Sequence, residues 1–205
     1  MSESDPLATP GAGAVGTAKR DLRLRVLSAR RARSEADRRA LDGALVDAVA
    51  GWLDTRSPMT VAAYAPMPGE PGGVDLPGRL AGHAGRLLLP VLRPDNDLDW
   101  AAYQGDLAQA GRGLREPPGD RSGVDAVATA GLVIVPAVAV DTAGTRLGRG
   151  GGSYDRALAR VARGSTVLAL LYPGELVDRV PSLAHDHPVH GVVIEGRVTM
   201  VGAGA

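Results

Sequence analysis

The sequence predicts an α/β fold, a single-domain three-layer sandwich in which a largely parallel sheet is flanked by helices. Two observations carry this expectation. Short apolar runs of strand length, at residues 60–64, 86–92, 132–140, 166–171 and 192–195, alternate with segments of helical periodicity. Those runs are apolar nearly throughout, which marks strands buried on both faces and hence a parallel sheet with right-handed crossovers. The 205 residues suffice for one substantial core, and no repeat, heptad run or linker divides them.

Residues 1–16 are small, polar and rich in Gly, Pro and Ala, and are expected to form a disordered tail ahead of a domain spanning 17–205. Residues 19–33 read as a helix with Leu22, Val26 and Ala29 on one face. Lys19, Arg20, Arg23, Arg25, Arg30, Arg31 and Arg33 cover the rest; such a run is ordinarily a solvated face, unless one or two cations reach an anionic ligand. Ser34, with Asp37 three residues on, is a capping start for a second helix carrying Leu41, Leu45, Val49 and Trp52 and stopping near Arg56-Ser57-Pro58.

The strand at 60–64 runs into Pro66-Met67-Pro68-Gly69-Glu70-Pro71-Gly72-Gly73. An exposed Glu on a loop is usually just solvated, but Glu70 follows a strand directly, where open α/β sheets hold their ligands. A weak helix at 76–84 precedes the strand at 86–92. Asp95-Asn96-Asp97 lacks the Gly and Glu of a calcium loop and reads as a turn. Residues 98–103 form a further strand whose Trp100 and Tyr103 suit core or lid, and 111–120 form a loop. Residues 132–140 make the best central strand. A helix at 157–161, a strand at 166–171, a polar loop at 183–187 and a last strand at 192–195 complete the chain.

Net charge is zero and the isoelectric point is about 6.9, so nothing favours nucleic acid or an anionic membrane as partner. The absence of cysteine excludes disulfides, thiolate catalysis and Cys-ligated zinc. No apolar run approaches the roughly 20 residues that span a bilayer, and the N-terminus lacks the basic and apolar regions of a secretory signal. The expected location is the cytoplasm and, with no intersubunit signal, the expected state is a monomer.

The densest chemistry lies in Arg146-Leu147-Gly148-Arg149-Gly150-Gly151-Gly152-Ser153-Tyr154-Asp155-Arg156, between the most apolar strand and a helix. Glycines let backbone N–H groups approach an anion, arginines add charge, and Asp155 could hold hydrated Mg²⁺ against phosphates. The loop has no lysine for a Walker A pattern. The dinucleotide pattern fails at Ser153 and at Glu175, which sits in a turn instead of at a strand end. A kinase loop would need a following strand with a lysine.

This stretch resembles the signature of the 5-formyltetrahydrofolate cyclo-ligase (5,10-methenyltetrahydrofolate synthetase) family. Lys19-Arg20-Asp21-Leu22-Arg23 looks like the family's opening basic helix, and residues 61–70 like its strand and acidic folate loop. Gly113-Leu114-Arg115-Glu116-Pro117 and His185-Asp186 resemble two further motifs in the right order. The resemblance implies a sheet of sugar-phosphate isomerase or CoA-transferase-like shape. It also implies ATP- and Mg²⁺-dependent closure of 5-formyltetrahydrofolate through a phosphorylated formyl group. Lys19, Arg20 and Arg23 would then contact the nucleotide phosphates, Lys19 supplying the lysine that the loop lacks. Gly148, Gly150, Gly151 and Gly152, flanked by Leu147 and Ser153, would wrap the triphosphate, with Arg146 and Arg149 as clamps. Tyr154 would stand between phosphate and pterin, Glu70 would accept hydrogen bonds from the folate, and Asp155 and Asp186 would bind Mg²⁺; Arg149, Tyr154 and Lys19 are the expected catalytic groups. Ser153, Gly73 and His190 depart from the family's usual tyrosine, polar residue and aspartate. A non-catalytic ligand-binding homologue and an isomerase of related shape are the competing readings.

Overall fold

A computed structural model describes residues 12–57, 59–183 and 186–202. Helix α1 (Ala12–Ala32) leads into α2 (Glu35–Asp54) through Ser34, whose side chain accepts the Asp37 N–H as the expected N-cap. Then come β1 (Thr60–Ala62), α3 (Leu76–Ala81), β2 (Arg86–Leu92) and β3 (Leu98–Ala102), followed by a small hairpin of β4 (Ala108–Gln109) and β5 (Arg115–Glu116). The second half holds β6 (Leu132–Pro136), β7 (Ala139–Asp141), β8 (Arg146–Leu147), α4 (Ser153–Leu158), β9 (Thr166–Leu170) and β10 (Leu176–Val177). It closes with β11 (Gly191–Ile194) and β12 (Arg197–Met200).

Seven strands form the main sheet in the order β12-β11-β9-β6-β1-β2-β3. The five central strands are parallel, and β12 and β3 pair antiparallel at the two edges. Along each central strand the side chains alternate between two cores. Val61, Leu132, Ile134, Leu168 and Leu170 face α2 and α3. Ala62, Val133, Val135, Val167 and Ala169 face Trp100, Val127 and α4. Both faces are therefore buried, as the uninterrupted apolar runs require, and the expected fold class is the observed one. Trp100 is core, fully buried, while Tyr103 packs at the margin.

Four expectations are corrected. First, α1 begins at Ala12, inside the stretch expected to be a disordered tail, because Ala12 and Ala14 favour helix and Val15 is buried; residues 1–11 lie outside the described residues. Second, the inward face of α1 ends on Arg30, with Ala29 exposed. Third, the run 132–140 is two strands. The chain leaves the main sheet after Pro136, and β7 joins a separate three-stranded sheet, β10-β7-β8, on which Leu22 and Val26 of α1 pack. Fourth, the final strand turns back at Glu195-Gly196, both at positive φ, into β12, whose exposed edge residues gave no apolar signal.

Candidate functional site

The loops after β1, β2 and β6 open on one side of the sheet, at the C-terminal ends of adjacent parallel strands. There they wall a cleft of about 940 Å³. Pro136, Ala137 and Val138, strand β8, the glycine-rich loop and Glu70 all line it, and α1 reaches it through Lys19 and Arg23.

Arg146, the first residue of the motif, is buried. Its Nη2 donates to Asp155 Oδ1 at 2.7 Å and its Nη1 to the Pro136 carbonyl at 3.3 Å, while Nε has no hydrogen-bond partner. A Cβ at Gly148 would stand 2.7 Å from Arg146 Nη1, so a side chain there would displace the buried guanidinium. Gly150 and Gly152 have φ of 106° and 70°, the left-handed region that turns the loop back and starts α4 at Ser153, four residues before the expected helix. Arg149 Nε meets Glu70 Oε1 at 2.8 Å, and the other Glu70 oxygen accepts the Met67 N–H at 2.9 Å.

The basic helix reaches the same cleft as the glycine-rich loop. Arg23 Nε donates to the Gly148 carbonyl at 2.7 Å, so Arg23 makes the direct contact with the loop. Lys19 lines the same cleft but pairs with Asp186 at 2.5 Å. Arg20 does not belong here: it is exposed on α1 and outside the cleft lining, because one helical step from Lys19 turns it about 100° away. His185 lies outside the described residues.

Tyr154 lines the cleft and feels the charges of both Glu70 and Arg146. Burial pushes its phenol well above the ordinary value, the Glu70 charge adds to this, and Arg146 opposes it. Tyr154 is therefore a neutral hydrogen-bond donor at physiological pH and not a base. Burial likewise raises Tyr64, whose hydroxyl donates to the Pro71 carbonyl at 2.6 Å. Among the described residues no three His, Asp or Glu side chains form a metal cluster. Mg²⁺ commonly takes one or two carboxylates and completes its shell with water and phosphate oxygens. Asp155 and Asp186 both line the cleft and are each paired with a cation, Arg146 and Lys19, so they do not make a dedicated metal cage.

The departures from the family pattern resolve locally. A Cβ at Gly73, where φ is 66°, would press 3.0 Å from Asp42 Oδ2, so the side chain of Asp42 fills the space a larger residue would need. His190 lies outside the cleft lining and accepts the Val167 N–H on Nδ1 at 3.0 Å, bridging β11 and β9. Its exchange for aspartate does not touch the metal question. Sequence reasoning gave no functional role to Asn96 and Arg112 and counted Arg156 only among the glycine-rich stretch's charges; all three line the cleft.

A single α/β domain with a cationic, glycine-lined cleft at the strand ends is the architecture of an enzyme that handles anionic small molecules. Comparison with known proteins makes this specific. Residues 15–195 match the family described as the 5-formyltetrahydrofolate cyclo-ligase family. The chain is 40% identical over 176 residues to the 5-formyltetrahydrofolate cyclo-ligase of Mycolicibacterium smegmatis, covering 82% of this chain and 89% of that relative. It is 32% identical to the Escherichia coli K12 enzyme of the same name over 144 residues, 68% of this chain and 79% of that one. The solution structure of Aquifex aeolicus 5,10-methenyltetrahydrofolate synthetase superposes with a TM-score of 0.76 at 29% identity, covering 91% of this chain and 94% of that one. The Mycoplasma pneumoniae synthetase shares the fold, with a TM-score of 0.69 at 20% identity, covering 85% of this chain and 97% of that one. The chain belongs to the 5-formyltetrahydrofolate cyclo-ligase family, and is an enzyme.

Proposed function

We propose that this enzyme closes 5-formyltetrahydrofolate to 5,10-methenyltetrahydrofolate at the expense of ATP, releasing ADP and phosphate, within folate one-carbon metabolism. The observation that carries the reading is the convergence of the glycine-rich loop, Lys19 and Arg23 of α1, and Glu70 on one cleft in a member of this family.

The formyl oxygen is amide-like and a weak nucleophile, so it must be held in line with the γ-phosphorus while charge on the equatorial oxygens is neutralised. The oxygen forms the new P–O bond as the bond to ADP breaks, leaving an imidate phosphate. The side-arm nitrogen then attacks the activated carbon and loses its proton. The C–O bond breaks, and phosphate leaves. Arg146, Arg149, Lys19 and Arg23 supply fixed positive charge to both phosphoryl steps. The unpartnered Nε of Arg146 is a buried donor available to an anionic oxygen. Glu70 accepts hydrogen bonds from the amino-pyrimidine edge of the folate, and neutral Tyr154 donates between the two ligands. Asp155 and Asp186 would hold Mg²⁺, which supplies further charge neutralisation at the phosphates when bound.

Three cations of the cleft are paired with its own carboxylates: Lys19 with Asp186, Arg146 with Asp155, and Arg149 with Glu70. In the last pair one proposed phosphate ligand holds one proposed folate ligand, so the two substrates together supply the partners that the pair loses. The test is an absorbance assay of 5-formyltetrahydrofolate with Mg-ATP, following the methenyl chromophore and ADP. Both products should appear in equal amounts; the absence of both would sink the reading. The enzyme is further taken to be a cytoplasmic monomer, and light scattering at assay concentration checks the oligomeric part.

A further inference from the structure

Seven cationic side chains and four carboxylates line the cleft. Lys19, Arg146 and Arg149 have carboxylate partners, Arg23 is spent on the Gly148 carbonyl, and Arg115 on the Pro66 and Val74 carbonyls. Arg112 and Arg156 differ. Among the described residues neither makes an ion pair, yet both are gathered onto one neutral residue, Asn96. Arg112 Nη1 donates to Asn96 Oδ1 at 2.7 Å, and Arg156 Nη2 donates to the Asn96 carbonyl at 2.6 Å, with a longer contact of 3.4 Å to the Gly151 carbonyl. Two guanidinium groups are thus anchored on one residue; Asp97 offsets part of the Arg156 charge, and an anion between the two groups would attract both.

The backbone points the same way. Asn96 and Arg112 have φ of 61° and 62°. Asparagine tolerates the left-handed region, but arginine gains nothing there, and such strain persists where the surrounding structure holds the residue for another purpose.

The cleft also connects this clasp to Glu70 along an apolar path. Met67, whose N–H binds Glu70, carries its Cε to within 3.8 Å of where a Cβ on Gly113 would stand, next to Arg112. Leu92, Leu98 and Leu114 line the same wall. A ligand gripped at Glu70 by a polar heterocycle would lay an aromatic spacer over Met67 and these leucines, and would present its far end to Arg112 and Arg156.

We infer that Arg112 and Arg156, positioned by Asn96, form the subsite for the carboxylates of the substrate's glutamate tail. This rests on the folate reading of the cleft proposed above. The chemistry is charge-assisted hydrogen bonding from two planar forks to a dicarboxylate, which is also why arginine and not lysine stands at both positions.

Calorimetric binding tests this without requiring turnover. The ligands are 5-formyltetrahydrofolate and 5-formyltetrahydropteroate, which lacks the glutamate. The variants are Arg112→Gly, which removes the guanidinium while suiting the left-handed backbone, and Arg156→Ala. The wild-type protein should bind the glutamate-bearing ligand about tenfold or more tightly than the pteroate, and each variant should lose most of that preference while weakening the pteroate less than about threefold. Equal losses for both ligands, a wild type without tail preference, or a loss confined to ATP binding would overturn the subsite. Turnover is scored separately. A tail preference that disappears in the variants without any methenyl product in the wild type would sustain the subsite for a folate-shaped ligand while defeating the proposed reaction. A wild type that binds neither ligand would defeat both.

Discussion

Two arginine–glutamate pairs in this molecule have the same chemistry and opposite surroundings. Arg30 and Glu175 are both buried, with side-chain exposures of 5% and 4%, and make two parallel bonds of 2.6 and 2.7 Å. Arg30 donates again to the Ala137 carbonyl, and Glu175 accepts the Tyr172 N–H, so each partner is held by a further hydrogen bond. The Glu175 charge holds Arg30 protonated against the cost of burial, leaving its pKa raised. This pair ties α1 to the turn between β9 and β10 and behaves as a lock. Arg149 and Glu70 make one ion-pair contact of 2.8 Å, and the arginine is 49% exposed while the glutamate is 8% exposed. Such a pair is a latch: water can replace it, and so can ligands. What separates lock from latch is how many hydrogen bonds must break at once, and whether the freed charge reaches solvent.

The largest expected effect breaks the lock. Glu175→Ala leaves Arg30 buried without a counter-charge, and should cost about 3–5 kcal/mol of stability in urea unfolding. A loss below about 1 kcal/mol would mean the pair is solvated and the distinction is wrong. Arg149→Ala tests the latch from the other side. Stability should change by less than about 1 kcal/mol, while kcat/KM for methenyl formation falls by roughly 10²–10³, the range for removing one transition-state donor. Unchanged kcat/KM would remove Arg149 from the phosphate clamp.

Glu70→Gln sharpens the comparison. It removes the charge that holds Arg149 but keeps the shape, so folate binding should weaken by about tenfold while ATP binding stays nearly intact. Equal losses for both ligands by calorimetry would make Glu70 structural. The smallest effect concerns a pair between the two extremes, Arg160 and Asp97, joined at 2.6 and 3.0 Å. The Arg160 hydrogen bonds hold the Asp97 carboxyl below its usual range, against a burial cost. A depressed folded-state pKa stabilises above the unfolded value of about 3.9 and is lost as pH falls through the folded value. Thermal melts of Arg160→Ala should therefore lie below wild type by an amount worth less than about 1 kcal/mol at neutral pH. The gap should close as pH drops below about 4; a gap that stays open there would assign the loss to packing instead of charge.

Much of the fold was legible because its signals are local. The Ser34 cap, the apolar strand runs and the glycine turn each depend on neighbours in sequence. Edge elements were less legible. Strand β12 has an exposed pattern, and β7 continues an apolar run that only Pro136 interrupts. In the site, the glycine loop, Glu70 and the α1 cations could be nominated from residue type and order. Arg20 was wrongly included with them, since adjacent helical residues share a sequence motif but not a face. Arg112 and Asn96 gave no signal, because their meaning lies in contacts across 16 residues of chain.

The sequence by itself determined the fold class and the glycine-rich loop, because apolar periodicity and backbone freedom are written in residue types at short range, and its ordered motifs carried the resemblance to the family. Which charges are locks and which are latches was decided only by the tertiary structure. Arg30 and Arg23 both belong to one basic helix. Yet burial against Glu175, 145 residues away, makes one a structural anchor, and the Gly148 carbonyl, 125 residues away, draws the other into the cleft. The strength of a charge depends on its dielectric surroundings and its partners, and those exist only once the chain has folded.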